Sequence, residues 1–523
     1  MTEEKALRSN PTPTTATAGL VRGALPWRRR PADLPVSFAD RMLANTNTEG
    51  AVRELCAACG GGAFLGLAGG RPVCANREHA VLVLGAPRSG KTSSVVIPSV
   101  LACPGALVST STKTDVRDTT ARSRARLGDL WAFDPTGEAD IPPDVNELRW
   151  SPVATASTWD DALHTARAMT LAAPAVGRGT EGQHHWAERA AALLGPLLHA
   201  AHESGAGIEE VLTWVLLHDV EPAGTILQKA GATVACNVLL GIAKTDERER
   251  SSIFSATAGV LALYNTDAAR KAASTPNFNP DEFAASTDTI YITAPAHRQA
   301  LCAPLVVGLL EQIRHATYRR AAGHAIAQPV FFCLDEVANI APIHDLPALV
   351  SEAGGQGLHV MACLQDLSQA RTRWGDQAAD GFLTLFQTKL VLPGISDPRT
   401  LEALSLVLGE IDRPMPSTTT GVSETRTFAW MAPPTTTRSH SVGYNTVRQR
   451  RVPPGEIAAI PKGQGMLVTG AQRQRLRLTA YHACEPWRTL TQTAGSLRAA
   501  AGSASYPDRD APPSLDPEDW RTL

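Results

Sequence analysis

The chain has 523 residues, enough for more than one domain around a large buried core. Its 49 basic and 51 acidic residues nearly cancel, which excludes a protein-wide field for polyanions and confines any nucleic-acid surface to a local lining. No stretch approaches the roughly 18 to 20 apolar residues of a bilayer span, and the start, with Glu3, Glu4 and Lys5, lacks the apolar core of a secretory leader. The expected location is the cytoplasm, at most peripheral at the inner face of the cell membrane.

Residues 1–50, rich in Thr, Pro and Ala and carrying Trp27-Arg28-Arg29-Arg30, show little apolar periodicity and are expected to form a disordered arm. The arginines either solvate that arm or touch nucleic acid or anionic lipid. Between Ala51 and His79, Gly60-Gly61-Gly62 and Gly69-Gly70 punctuate short apolar stretches, the pattern of a small β-hairpin. In this region Cys56-x-x-Cys59 with Cys74 resembles part of a zinc site but has no fourth ligand at a regular spacing. The other cysteines are scattered, and Cys333 and Cys363 fall in core strands, as expected of free thiols in a reducing compartment.

Val81 to Leu84 reads as a buried strand, and it runs directly into Gly85-Ala86-Pro87-Arg88-Ser89-Gly90-Lys91-Thr92 followed by a helix-compatible run to Ile97. This is the spacing of a phosphate-binding P-loop. Gly85 and Gly90 let the backbone wrap close to an anion, and successive N–H groups from Gly85 to Ser93 face it. Lys91 would reach the β- and γ-phosphates, and Thr92 would ligate Mg2+. Strands are expected next at Gly105 to Ser109 and Leu130 to Asp134, with helix at Ser123 to Leu127 between them; strands alternating with helices predict a parallel α/β sheet.

From Thr158 to Ala273 the periodicity becomes helical. Trp186, Ala190, Leu193, Leu194, Leu197 and Leu198 share one stripe, and Ile208, Val211, Leu212 and Val215 share another, which predicts an all-α domain inserted over 158–273. The sheet resumes at Thr289 to Thr293 and reaches Val330 to Leu334, an apolar run ending in Asp335 and Glu336. Asp335 would complete the Mg2+ shell, and Glu336 would orient or deprotonate an attacking water; an ordinary solvated strand end is the alternative. His359 to Leu364 ends in Gln365, either a γ-phosphate sensor at a strand's carboxyl end or a surface residue opening the next helix. Lys389 to Leu392 adds a strand. The Thr-, Ser- and Pro-rich stretch from Glu410 to Gly455, with Arg448-Gln449-Arg450-Arg451, is expected to be a long mobile loop or hairpin. Last come strands at Gly465 to Val468 and Arg475 to Thr479, and a polar tail, 491–523, expected to be disordered.

From about Gly66 to Arg488 the chain resembles the type IV secretion coupling proteins, the TraG/TraD-like conjugative ATPases. The resemblance rests on Gly85 to Thr92, on Leu130-Trp-Ala-Phe-Asp-Pro135 with Trp150-Ser-Pro152, on Leu334-Asp-Glu-Val-Ala-Asn-Ile340, and on Gly357-Leu-His-Val with Leu364-Gln-Asp-Leu-Ser-Gln369. It implies a RecA-like α/β domain with a mainly parallel sheet, over 51–157 and 274–490, interrupted by the all-α insert. It also implies ATP and Mg2+ as ligands and a homo-hexamer that brings DNA, relaxase or effector proteins to a secretion channel, gripping the phosphate backbone without regard to sequence. In that setting Lys91, Glu336 and Gln365 would be the catalytic residues. Relatives often carry an N-terminal transmembrane pair, which is not seen in this sequence, so the chain is expected either to dock through its N-terminal arm on a separate membrane partner, an anchor protein or channel ATPase, or to act as a soluble translocase. Relatives also often have an arginine in the turn before Gly357, where this chain reads Gly354-Gly355-Gln356; Arg248, Arg250, Arg371 or Arg373 could substitute as an arginine finger, the alternative being that they are solvated on helix surfaces. A protein-recruitment platform without DNA pumping, or a DNA-packaging or segregation motor, are the competing functions.

Overall fold

The computed structural model describes residues 56–492 apart from 58, 175–179, 324–327, 426–434 and 471. The expected arm with Arg28 to Arg30, and residues 493–523 of the expected tail, lie outside the described residues. Residues 491 and 492, which the sequence places in that tail, instead close a helix, Trp487–Gln492.

The strands are, in chain order, β1 (Phe64–Ala68), β2 (Arg71–Cys74), β3 (Val81–Leu84), β4 (Leu107–Ser111), β5 (Leu130–Phe133), β6 (Asn146–Glu147), β7 (Thr289–Thr293), β8 (Val330–Leu334), β9 (Leu358–Leu364), β10 (Thr388–Val391), β11 (Glu410–Thr425), β12 (Thr435–Arg450), β13 (Gln464–Thr469) and β14 (Gln472–Arg477). Twelve of them form one sheet in the order β2-β1-β14-β13-β10-β3-β9-β8-β4-β7-β5-β6. From β10 to β6 every pairing is parallel, and β13, β14, β1 and β2 extend that sheet antiparallel. Helices cover both faces, which is why the central strands are apolar at every position. Leu82, Leu84, Phe332, Leu334, Val360 and Leu364 enter one core; Val81, Val83, Phe331, Cys333, Met361 and Cys363, alternating with them, enter the other. Burial pushes the Cys333 and Cys363 thiols well above their ordinary range, so both act as small apolar groups.

Between β6 and β7 the chain leaves the sheet for a helical insertion running from Trp159–Ala172 through Asp267–Ala273. Its starts are capped as the sequence dictates. Thr158 accepts from the Asp161 N–H, and Asp246 accepts from the N–H groups of Arg248 and Glu249. The two apolar stripes face inward, with Leu193, Leu194, Leu197, Leu198 and Val211 buried and Trp186 half-buried against the same core. Among the described residues, no helix is long and apolar enough to cross a membrane.

One local expectation changes and two are narrowed. The helix placed at Ser123 to Leu127 lies at Asp115–Arg124, with Asp115 and Asp118 in its first turn and Arg122 and Arg124 in its last, the favourable polarity for its dipole. Two of the three cysteines near the first hairpin are paired with each other rather than free. The β1–β2 hairpin brings the Cα atoms of Cys59 and Cys74 to 5.3 Å and they form a disulfide, while burial raises the free Cys56 thiol to about 11. No cluster of three or more His, Cys, Asp or Glu able to hold a metal occurs among the described residues. Finally, of the loop or hairpin expected over Glu410 to Gly455, the hairpin holds: the 16-residue strands β11 and β12 pair from Glu410↔Arg450 to Thr425↔Thr435. At about 3.3 Å per residue it is about 50 Å long.

Candidate nucleotide site

The P-loop strand β3 sits between β10 and β9, ends level with both, and is tied to both where the loop begins. The Gly85 N–H donates to the Leu364 carbonyl at 3.1 Å, and the Leu392 N–H donates to the Leu84 carbonyl at 2.7 Å. A Cβ on Gly85 would lie 2.6 Å from Ser89 Oγ and 2.8 Å from the Leu392 Cβ, so the loop closes only around glycine. Gly90, at φ +95°, turns the chain into the helix through a conformation that side chains resist. That helix opens with a π-helical turn, Thr92–Val96, and continues as Ile97–Ala102. Ala86, Pro87, Arg88 and Ser89 form the crest, with Pro87 and Arg88 exposed and Ser93 half-buried behind them. Ser89 Oγ is buried without a partner, a donor held ready inside the cradle.

Lys91 is buried, and its ammonium donates to the Gly85 carbonyl at 2.5 Å and the Ala86 carbonyl at 3.3 Å. The cation therefore lies folded against the loop it would leave to reach a phosphate. Thr92 Oγ1 donates to Asp335 Oδ2 at 2.8 Å, joining the P-loop helix to the end of β8 across 243 residues of chain. Burial is the main influence on Asp335 and lifts its carboxyl to about 6; the Thr92 hydrogen bond and the Lys91 charge oppose that rise, and Glu336 adds to it. Glu336 follows at φ +54° and ψ +45°, a left-handed conformation that costs a side-chain-bearing residue about 1–2 kcal/mol. Its N–H donates to Asp335 Oδ1, its carbonyl accepts from the N–H groups of Asn339 and Ile340, and Asn339 Nδ2 donates to its carboxylate at 3.4 Å. Gln365 directly follows β9, which lies between β3 and β8, and its N–H donates to Gln369 Oε1 at 2.8 Å.

Gly85 to Ser93, Asp335, Glu336 and Gln365 thus meet at the carboxyl edge of three adjacent parallel strands, the place where open α/β sheets bind ligands. Two members of this neighbourhood escape sequence reasoning. Asn339 is one; Thr110 is the other, fully buried on β4, with its hydroxyl donating to the Asp335 carbonyl at 2.8 Å. The signal for Thr110 is the hydroxyl run Ser109-Thr110-Ser111 at the end of an otherwise apolar strand.

The family model described as type IV secretory system conjugative DNA transfer matches residues 45–483. The chain belongs to this family. No curated protein sequence matches it. Among solved structures, the unbound bacterial conjugative coupling protein TrwBdeltaN70 is similar at 18% identity and a TM-score of 0.59, over 83% of this chain and 92% of that one. The plasmid coupling protein TrwB in complex with ADP and Mg2+ matches at the same identity and TM-score, over 83% and 94% of the two chains. These likenesses establish the fold, a RecA-like α/β sheet carrying a helical domain.

The arginines expected to replace a finger in this coupling-family member are largely engaged. Arg371 pairs with Asp397, Arg373 donates to the carbonyls of Leu171 and Ala172 at 3.0 Å, and Arg250 donates to the Ala243 carbonyl at 2.9 Å. Arg248 stands exposed near the start of the helix Glu247–Val260. The glycine at the turn also has a cause. A Cβ on Gly354 would lie 2.0 Å from the Glu78 carbonyl oxygen, so that position excludes an arginine, or any other side chain.

Proposed function

We propose that the chain is an ATP-hydrolysing coupling protein that recruits DNA, or a relaxase-bound nucleoprotein, and moves it to a conjugative type IV secretion channel. The observation that carries this reading is the 2.8 Å contact between Thr92 and Asp335 at the mouth of the P-loop, with Lys91 and Glu336 on either side of it. A hydroxyl and a carboxylate form an all-oxygen pair suited to a hard cation, and Gly85 and Gly90 let the backbone of the cradle come close to a phosphate. In this reading ATP lies on Gly85 to Ser93, and Thr92 and Asp335 hold Mg2+. The bound cation would neutralise charge on the transferring phosphoryl group. Lys91 exchanges its two carbonyl partners for phosphate oxygens. Glu336 orients the attacking water and accepts its proton, and Gln365 contacts the γ-phosphate or that water. TrwB has been solved with ADP and Mg2+ and with non-hydrolysable ATP and GTP analogues, which supports this choice of ligand.

The motor is assigned to 51–157 and 274–490 and the inserted domain to 158–273. A homo-hexamer on DNA or at the membrane, working with a channel ATPase or membrane anchor protein, completes the reading. It is tested by steady-state ATP hydrolysis at low salt, without DNA and with single- or double-stranded DNA. Turnover stimulated by DNA and lost in Lys91→Ala and Glu336→Gln is expected; turnover indifferent to both substitutions would refute the site. A second reading, a recruitment platform for relaxase or effector proteins, is favoured by Leu216, Leu217, Val234 and Leu240, all exposed on the helical insertion. Capture of such proteins without DNA affinity at low salt would select it.

A further inference from the structure

The peptide group joining Asp335 to Glu336 is held at both ends. Its N–H, on Glu336, donates to Asp335 Oδ1 at 3.1 Å, and its carbonyl oxygen, on Asp335, accepts from Thr110 Oγ1 at 2.8 Å. The sheet ladder does not reach this carbonyl: β4 and β8 pair in register up to Thr110↔Leu334, and Ser111 then pairs with Thr293 of β7. The orientation of this peptide plane, together with the Glu336 carbonyl that Asn339 and Ile340 hold on the other side, sets the φ of Glu336 at +54°. A side-chain-bearing residue stays in such a conformation only where its surroundings over-determine it.

The two anchors differ in kind. The Asp335 carboxylate belongs to the nucleotide site, where it also receives the Thr92 hydroxyl, and its contacts must rearrange when a cation and phosphates arrive. Thr110 lies on β4, separated from the P-loop strand by β9 and β8, and is wholly buried, so its hold does not depend on the ligand. We infer that Thr110 is a positioning residue: its hydroxyl keeps the strained Asp335–Glu336 corner in the conformation that aims the Glu336 carboxylate at the attacking water. This rests on the proposed role of Glu336.

The test compares Thr110→Val, which keeps the shape and deletes the hydroxyl, with Thr110→Ser, which keeps the hydroxyl. Two quantities are measured on the full chain: kcat and KM for MgATP, and hydrogen–deuterium exchange over residues 335–340. For the valine variant kcat is expected to fall about tenfold, the worth of one hydrogen bond, with KM unchanged and the 335–340 amides exchanging faster. The serine variant should restore both. Wild-type kcat and protection in the valine variant would overturn the inference, and so would a serine variant as impaired as valine, because packing would then be the cause. If the valine variant does not fold, Thr110→Ala carries the same comparison. Failure of the functional reading is distinguishable: Glu336→Gln would then turn over like wild type, while the exchange measurement would still decide whether Thr110 holds the corner.

Discussion

His359 makes stability respond to mild acid in a way the structure quantifies. It lies on β9, 1% exposed, and its Nε2 accepts the Ala63 N–H at 3.1 Å, tying the central sheet to the segment before β1. Burial pulls the imidazole down to about 4; the Arg77 main chain weakly opposes this and His79 adds to it. The ordinary value in an unfolded chain is about 6.5. Because the folded value is depressed, the unfolded state takes up the proton first as pH falls. Stability is therefore complete above about pH 6.5 and declines through the window from 6.5 to 4. Integrating between those values gives a loss of about 2 kcal/mol on going from pH 7.5 to pH 5, and about 3 kcal/mol below pH 4. Urea unfolding of wild type and His359→Gln at pH 7.5 and 5 isolates this contribution, since the amide can accept the same N–H and does not titrate. The wild type should lose about 2 kcal/mol more than the variant over that interval. Equal losses would refute a buried neutral His359.

Arg373→Ala removes two charge-assisted hydrogen bonds from the last carbonyls of the helix Trp159–Ala172. It should cost about 2 kcal/mol by thermal or urea unfolding. Gly354→Ala forces a Cβ against the Glu78 carbonyl and should destabilise by about 2–3 kcal/mol, measured the same way. If the proposed motor grips phosphate backbone, the logarithm of its DNA affinity should fall linearly with the logarithm of salt concentration in a fluorescence titration, with little dependence on sequence.

What could be read from sequence was what local patterns encode. The P-loop, β8 with its two carboxylates and β9 with Gln365 stood out because strands buried on both faces are short unbroken apolar runs, and each ends in the polar residues of the site. The helical insertion was legible because its stripes repeat at helical spacing. The antiparallel extension was not, since the pairing Leu67↔Arg477 joins segments more than 400 residues apart and no local pattern specifies it. The helix Gln299–Gly323 was also missed, because Cys302 to Leu310 is buried on every side and shows no stripe, and Pro304 lies inside it. Thr110 was hidden for a different reason: a buried threonine in a strand looks like any β-former until the carbonyl it serves is known.

The strand order also fixes a sequence of events during synthesis. β3, which carries the P-loop, is flanked by β9 and β10, whose residues emerge nearly 300 positions later. Until then its hydrophobic edges have no partners. The helices of the insertion, many of them packed on neighbours close in sequence, emerge before β9 and β10, although Trp159–Ala172 also packs on the later helix Gln299–Gly323. On the ribosome, the interrupting helices are all synthesised before the central sheet has its full set of strands. The nucleotide edge is therefore among the last parts of the molecule to form, and a chain interrupted before β9 leaves the P-loop strand without either of its neighbours.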